Sequence, residues 1–170
     1  RNKYVNNISS YLDEDFDNNK QPFQLFSNSS TSFIGSTIEG KGFILSDNVS
    51  LHELQNEKDV IKHYLTGSDL LNNVGSFASR YVIDFGEMSE NEASVYTNSF
   101  KIVKENVKPH RDTVKRDRNR LRWWIYAETR PGLYKAIKDK EYVLARARIS
   151  KTHAWEFVNT KQVLADALVV

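Results

Sequence analysis

The sequence predicts a mixed α+β domain with short strands interleaved between helices. Three observations predict it. Arg80-Tyr81-Val82-Ile83-Asp84-Phe85 and Tyr142-Val143-Leu144-Ala145-Arg146-Ala147-Arg148-Ile149 have the β-branched and aromatic density of strands. Ser50-x-x-Glu53 and Ser89-x-x-Glu92 match the capping box that opens a helix. A 39% hydrophobic and 12% aromatic content over 170 residues supplies one good core.

In chain order, residues 1–32 are rich in Asn, Ser and Asp and read as a loop-rich opening segment, with the domain proper at 33–170. Strands are predicted over 33–37 and 42–46, joined by a hairpin turn that uses Gly40. Leu51, Leu54, Val60 and Ile61 behind Ser50 predict a helix over 50–63. Thr66-Gly67-Ser68-Asp69-Leu70 has turn chemistry, and 80–85 is a strand. Ala93, Tyr96, Phe100, Val103 and Val107 fall near helical spacing, so a helix is predicted over 89–107, stopped by Pro109. Trp123-Trp124-Ile125-Tyr126 reads as core. Leu133, Ala136 and Ile137 suggest a short helix, and strands follow at 142–149, 155–158 and 163–165.

No catalytic centre is predicted. Without cysteine there is neither a disulfide nor a thiolate metal site. His52, His63, His110 and His153 have no zinc-ligand spacing, so no metal site is expected. A glycine-rich fingerprint for a dinucleotide or S-adenosyl cofactor is missing, and so is a Gly-x-Ser-x-Gly elbow. Asp13-Glu14-Asp15 sits in a polar loop and reads as solvated. No apolar run has the length of a bilayer span and no signal peptide opens the chain, and the lack of cysteine fits a cytoplasmic protein. The chain starts at Arg1 and closes on Ala167-Leu168-Val169-Val170, an apolar strand, and reads as a fragment of a longer polypeptide.

The net charge of +2 hides an asymmetry. Residues 1–100 hold 7 Lys and Arg against 14 Asp and Glu, whereas residues 101–170 hold 17 against 8. Such a division suggests a surface addressed to a polyanion. Lys108, Arg111, Lys115, Arg116, Arg118, Arg120 and Arg122 lie within 15 residues, followed at once by the two tryptophans. Arginine's planar fork suits both phosphate oxygens and the O6/N7 edge of guanine. Arg146, Arg148, Lys151 and His153 form a second group. Strand alternation puts both arginines on one face, and the turn Ser150-Lys151-Thr152-His153 offers further donors. Arg130, in Arg130-Pro131-Gly132, and Lys41, with Asn72-Asn73, complete the candidates. Double-stranded DNA is the partner this pattern suits, and a protein-interaction domain for an acidic partner is the alternative.

Val60-Ile61-Lys62-His63-Tyr64-Leu65-Thr66-Gly67-Ser68-Asp69-Leu70, then Arg80 to Phe85, Phe100-x-x-Val103, Val107-Lys108-Pro109-x-Arg111, Trp123 to Tyr126, Arg130 to Ile137 and Arg148-Ile149-Ser150-Lys151-Thr152 occur in an order similar to one known family. It is the specificity region of large bacterial adenine DNA methyltransferases, the MmeI-like single-chain restriction–modification enzymes and their BREX-type relatives in phage defence. The resemblance covers roughly residues 33–170. It implies a target recognition domain that grips duplex DNA and selects the methylated site. It also implies a methyltransferase domain elsewhere in the polypeptide, which would bind S-adenosylmethionine; its Asn-Pro-Pro-Tyr motif is absent from this chain. On that resemblance Trp123, Trp124, Pro131 and Tyr134 are scaffold, and Arg111, Arg130, Arg148 and Lys151 are the leading contacts to phosphate or base.

Overall fold

The computed structural model describes residues 4, 25–45, 53–73 and 75–170, so Ser50, His52 and most of the opening segment lie outside the described residues. The fold is α+β, with two small sheets and six short helices among the described residues. In chain order the elements are β1 (Ile61–Leu65), α1 (Gly67–Asn72), β2 (Arg80–Ile83), α2 (Glu90–Ser94), α3 (Thr97–Asn106), α4 (Lys108–Arg111), α5 (Asp117–Leu121), α6 (Pro131–Ile137), β3 (Tyr142–Ala147), β4 (Glu156–Asn159), β5 (Val163–Leu164) and β6 (Leu168–Val169).

One sheet has the order β2-β1-β5, with β1 antiparallel to β2 and parallel to β5. The other has the order β4-β3-β6 and is antiparallel throughout. Only three residues separate β5 from β6, so the tail of the chain ties the sheets together. Phe43, Val60, Tyr64, Val82, Ile83, Phe85, Trp123, Trp124 and Tyr126 form the larger core. Leu65, Leu133, Ile137, Ala145, Val158, Leu164 and Leu168 form the smaller one beneath β3. Phe43 meets Tyr126 edge-on at 5.1 Å, and Trp123 meets Trp124 edge-on at 5.8 Å, the offset that aromatic quadrupoles favour. Two of the polar tips find backbone partners: Trp124 donates to Met88 O at 2.9 Å and Tyr126 to Ile83 O at 2.8 Å.

Several elements differ from the sequence expectations. The helix expected over 50–63 is a 3-10 segment, Gln55–Val60, that runs straight into β1. Ile61 to Leu65 is the central strand of its sheet, and two partners for its backbone outweigh a weak helical period. Thr66 to Leu70, expected as a turn, opens α1 instead. Thr66 accepts from Asp69 N while the Asp69 carboxylate takes Thr66 N at 3.0 Å and Thr66 Oγ1 at 2.6 Å, a capping box built with Asp. The helix expected over 89–107 keeps its Ser89–Glu92 box but divides at Tyr96, whose ψ of 73° breaks the ladder. Pro109 sits in the first turn of α4 rather than ending the chain's helical run, because a first-turn N–H has no helical partner to lose.

The strands expected over 33–37 and 42–46 form only single bridges among the described residues: Ile34 to Val169, Ser36 to Ala165, Thr37 to Glu128 and Ile44 to Val82. Lys41–Phe43 is a 3-10 turn. Gly35 explains how the first segment packs so closely, since a Cβ there would sit 2.1 Å from Ala165 O. The expected strands at 80–85, 142–149, 155–158 and 163–165 correspond to β2, β3, β4 and β5. No helix among the described residues is long and apolar enough to cross a membrane.

Candidate nucleic-acid interface

The basic segment folds into α4, α5 and the turns around them, and most of its cations are held by acids, several from distant parts of the chain. Arg116 donates to Glu128 at 2.7 Å, and Arg118 lies 3.8 Å from the same carboxylate. Arg122 reaches Glu87 at 3.0 Å, Arg120 pairs with Asp117 within α5, and Lys108 pairs with Asp112 at 2.9 Å while lying over the Trp123 ring. The hydrogen bond from Arg116 holds the Glu128 carboxyl below its ordinary range, with the Arg116 and Arg118 charges adding to it. Glu87 is likewise held low, first by the Thr129 hydroxyl and then by Arg122. Lys115 is exposed and forms no ion pair among the described residues.

Arg111 corrects the expectation placed on it. Its side chain is 0% exposed, with Nη1 3.0 Å from Glu39 Oε2 and Nη2 donating to Ile38 O at 3.0 Å and Ile125 O at 3.1 Å. The Phe43 ring lies 5.9 Å away. Burial pulls the guanidinium below its ordinary pKa, and Glu39 opposes that. A group so enclosed ties the 38–39 segment to the Trp123–Tyr126 run and cannot touch a polyanion in this fold. Asn119, also buried, donates to the same Glu39.

The second group is placed differently. Along β3, Ala145 and Ala147 face inward and are buried, which turns Arg146 and Arg148 outward. The ladder continues past the strand through Arg148 N to Ala167 O at 2.8 Å. Arg148 Nη1 also donates to Asp166 O at 3.0 Å, leaving the rest of its fork in solvent. The connection to β4 is exposed from Arg148 to Trp155, with Ile149 92% exposed and the Ser150 and Thr152 hydroxyls 3.2 Å apart. Lys151 and His153 stand on this connection, and His153 meets Trp155 edge-on at 5.8 Å. None of Arg146, Arg148 and Lys151 forms an ion pair among the described residues.

Arg130 and Lys41 stand apart from both groups. Arg130 takes a left-handed φ of 57° ahead of α6 and directs Nε toward Gly35 O at 3.4 Å, beside a groove it shares with Arg118. Lys41 is exposed on its 3-10 turn. Trp123 and Trp124 are buried, and Tyr134 is fixed by Ser36 Oγ and by Leu164 N, both at 3.2 Å. Pro131 is exposed.

Sequence reasoning missed the acids that hold the basic segment, because Glu39, Glu87 and Glu128 lie at no helical spacing from their arginines. It also missed the outward aromatics of β4. A cavity of about 610 Å³ has both signs of charge on its rim, among them Lys62 paired with Asp84 at 3.0 Å. No three His, Asp or Glu among the described residues are grouped to hold a metal ion.

The fold belongs to the same class as a segment of a restriction–modification enzyme. That enzyme is MmeI, of type IIL, whose structure was determined in complex with DNA. The chain superposes on it with a TM-score of 0.61 over 97% of its length, at 17% sequence identity, and spans 22% of the MmeI chain. At this identity the likeness establishes a shared fold. No protein-family model matches the chain, and no curated protein sequence does.

Proposed function

We propose that this chain is a duplex-DNA reading domain, the target recognition domain of a site-specific adenine methyltransferase, and that the β3–β4 hairpin is its reading edge. One observation carries the placement: Arg146, Arg148 and Lys151 project from the hairpin without acidic partners, whereas five of the seven cations in 108–122 are held in exposed ion pairs and Arg111 is buried. The fold shared with an enzyme solved on DNA supports the reading. A strand presents successive outward side chains at fixed spacing, and bidentate Arg or Lys to guanine is the commonest base-specific contact.

In this reading the chain positions DNA and chooses the site, and methyl transfer from S-adenosylmethionine belongs to a methyltransferase domain outside it. The ion-paired arginines of α5 and its flanks shape the scaffold, while Lys115, Lys41 and Arg130 supply backbone contacts at the margin.

The test is binding of a duplex panel varied one base pair at a time, by the chain and by Arg146→Ala, Arg148→Ala and Lys151→Ala. Removing one bidentate pair takes away about 1–3 kcal/mol of discrimination at a single position. A variant whose preference at one position collapses supports base reading by that residue. A uniform fall across the panel makes it a backbone clamp, and undiminished binding by all three variants overturns the placement.

A further inference from the structure

The outer face of β3 and β4 carries large side chains that are left about half exposed or more. Tyr142 is 52% exposed, Leu144 47%, Trp155 44% and Phe157 68%. The register sets Leu144 opposite Phe157, and the Arg146 guanidinium sits 5.7 Å from the centroid of the Trp155 ring. The rungs therefore stack into one aromatic and cationic surface. A groove of about 490 Å³ runs along it, bounded on its far side by residues 30–33 and rimmed by Lys140. Exposed apolar surface of this kind marks a binding site rather than ordinary surface.

Charge decides the occupant. Residues 135–161 hold seven Lys and Arg against three acids, and none of the seven forms an ion pair among the described residues. Protein–protein interfaces deplete lysine around their aromatic centres. Flat aromatic rings edged by unpaired cations suit a polyanion that also offers π-faces, which is an unpaired nucleic-acid strand. We infer that this face binds single-stranded DNA, with bases stacked on Trp155 and Phe157 and phosphates toward Lys140. The inference rests on the DNA-binding reading above, and adds an unpaired strand to the duplex held by the hairpin.

Trp123 and Trp124 are buried, so quenching of tryptophan emission by an added strand reports Trp155. The measurement titrates oligothymidine of about ten nucleotides, and separately a mixed-sequence duplex, into the chain. Quenching by the single strand is expected, together with an affinity that falls about tenfold on Trp155→Ala and again on Phe157→Ala, at nearly unchanged duplex affinity. Trp155→Phe keeps a stacking ring and should retain most of the affinity while losing the quench, which separates stacking from misfolding. Duplex binding with no single-strand binding, or single-strand binding indifferent to both alanine variants, overturns this inference and leaves the hairpin reading intact. Self-association that disappears in Phe157→Ala, with single-strand affinity unchanged, makes the face a protein interface and also overturns it. Failure of both nucleic acids to bind overturns both readings.

Discussion

Arg111 and Arg148 show how far one residue type can diverge in role within a single charge-rich chain. Arg111 gives its Nη donors to Glu39 and two carbonyls inside the protein, and its Nε is buried without a partner. Arg111→Met should therefore destabilise the fold by about 3 kcal/mol, since it leaves the Ile38 and Ile125 carbonyls without their donor and takes one of two partners from Glu39. Urea unfolding measures it, and the salt dependence of DNA binding by the folded fraction should stay as it was. Arg148 has the opposite profile: Arg148→Ala should leave stability within about 0.5 kcal/mol, as exposed substitutions do, and should weaken duplex binding. The two arginines look alike in sequence because burial is a property of the whole fold. The nearest sequence cue for Arg111 is its place at helical spacing behind Val103 and Val107, both fully buried.

At the scale of elements, legibility followed the range over which each element is decided. The Ser89 box, β2 and β3 could be read because capping and strand density are local. β1 could not, because its strand state depends on pairing with residues 80–83 and 163–164. α1 was missed because its box closes with Asp in place of Glu. That box gives a pH signature. Burial raises the Asp69 pKa, but hydrogen bonds from Ser79 and Thr66 outweigh it and hold the carboxyl below its ordinary value. A depressed folded pKa contributes stability above the unfolded value of about 3.9, and that stability fades as pH falls through the folded one. Asp69→Ala should cost about 1–2 kcal/mol near neutrality and less below about pH 3, measured by denaturant titration at both. Gly35→Ala tests the close packing of the bridged segment. Its Cβ would meet Ala165 backbone, so a fall of about 2 kcal/mol or more in urea unfolding is expected, and a neutral result would show that the segment yields.

For the whole molecule, the sequence revealed that its C-terminal part is basic but not which cations are free. Composition counts charges, whereas the fold pairs them: Glu39, Glu87 and Glu128 come from outside α4 and α5 and occupy the arginines there. Seven cations without an ion pair among the described residues lie within 135–161, around β3, β4 and their connection, while Lys101, Lys104, Lys115 and Arg130 stay unpaired elsewhere in that part. The central claim is that this hairpin, and not the densest basic run, engages DNA phosphates and bases. Every phosphate that a protein neutralises adds about 0.9 to the steepness of log affinity against log salt. The most direct test measures that slope on duplex DNA for the chain, for Arg148→Ala with Lys151→Ala, and for Arg116→Ala with Arg118→Ala and Arg120→Ala. The hairpin pair should flatten the slope by nearly two units and the triple by less than about half a unit. A flattened slope in the triple with an unchanged slope in the hairpin pair would contradict the claim and return the interface to residues 108–122.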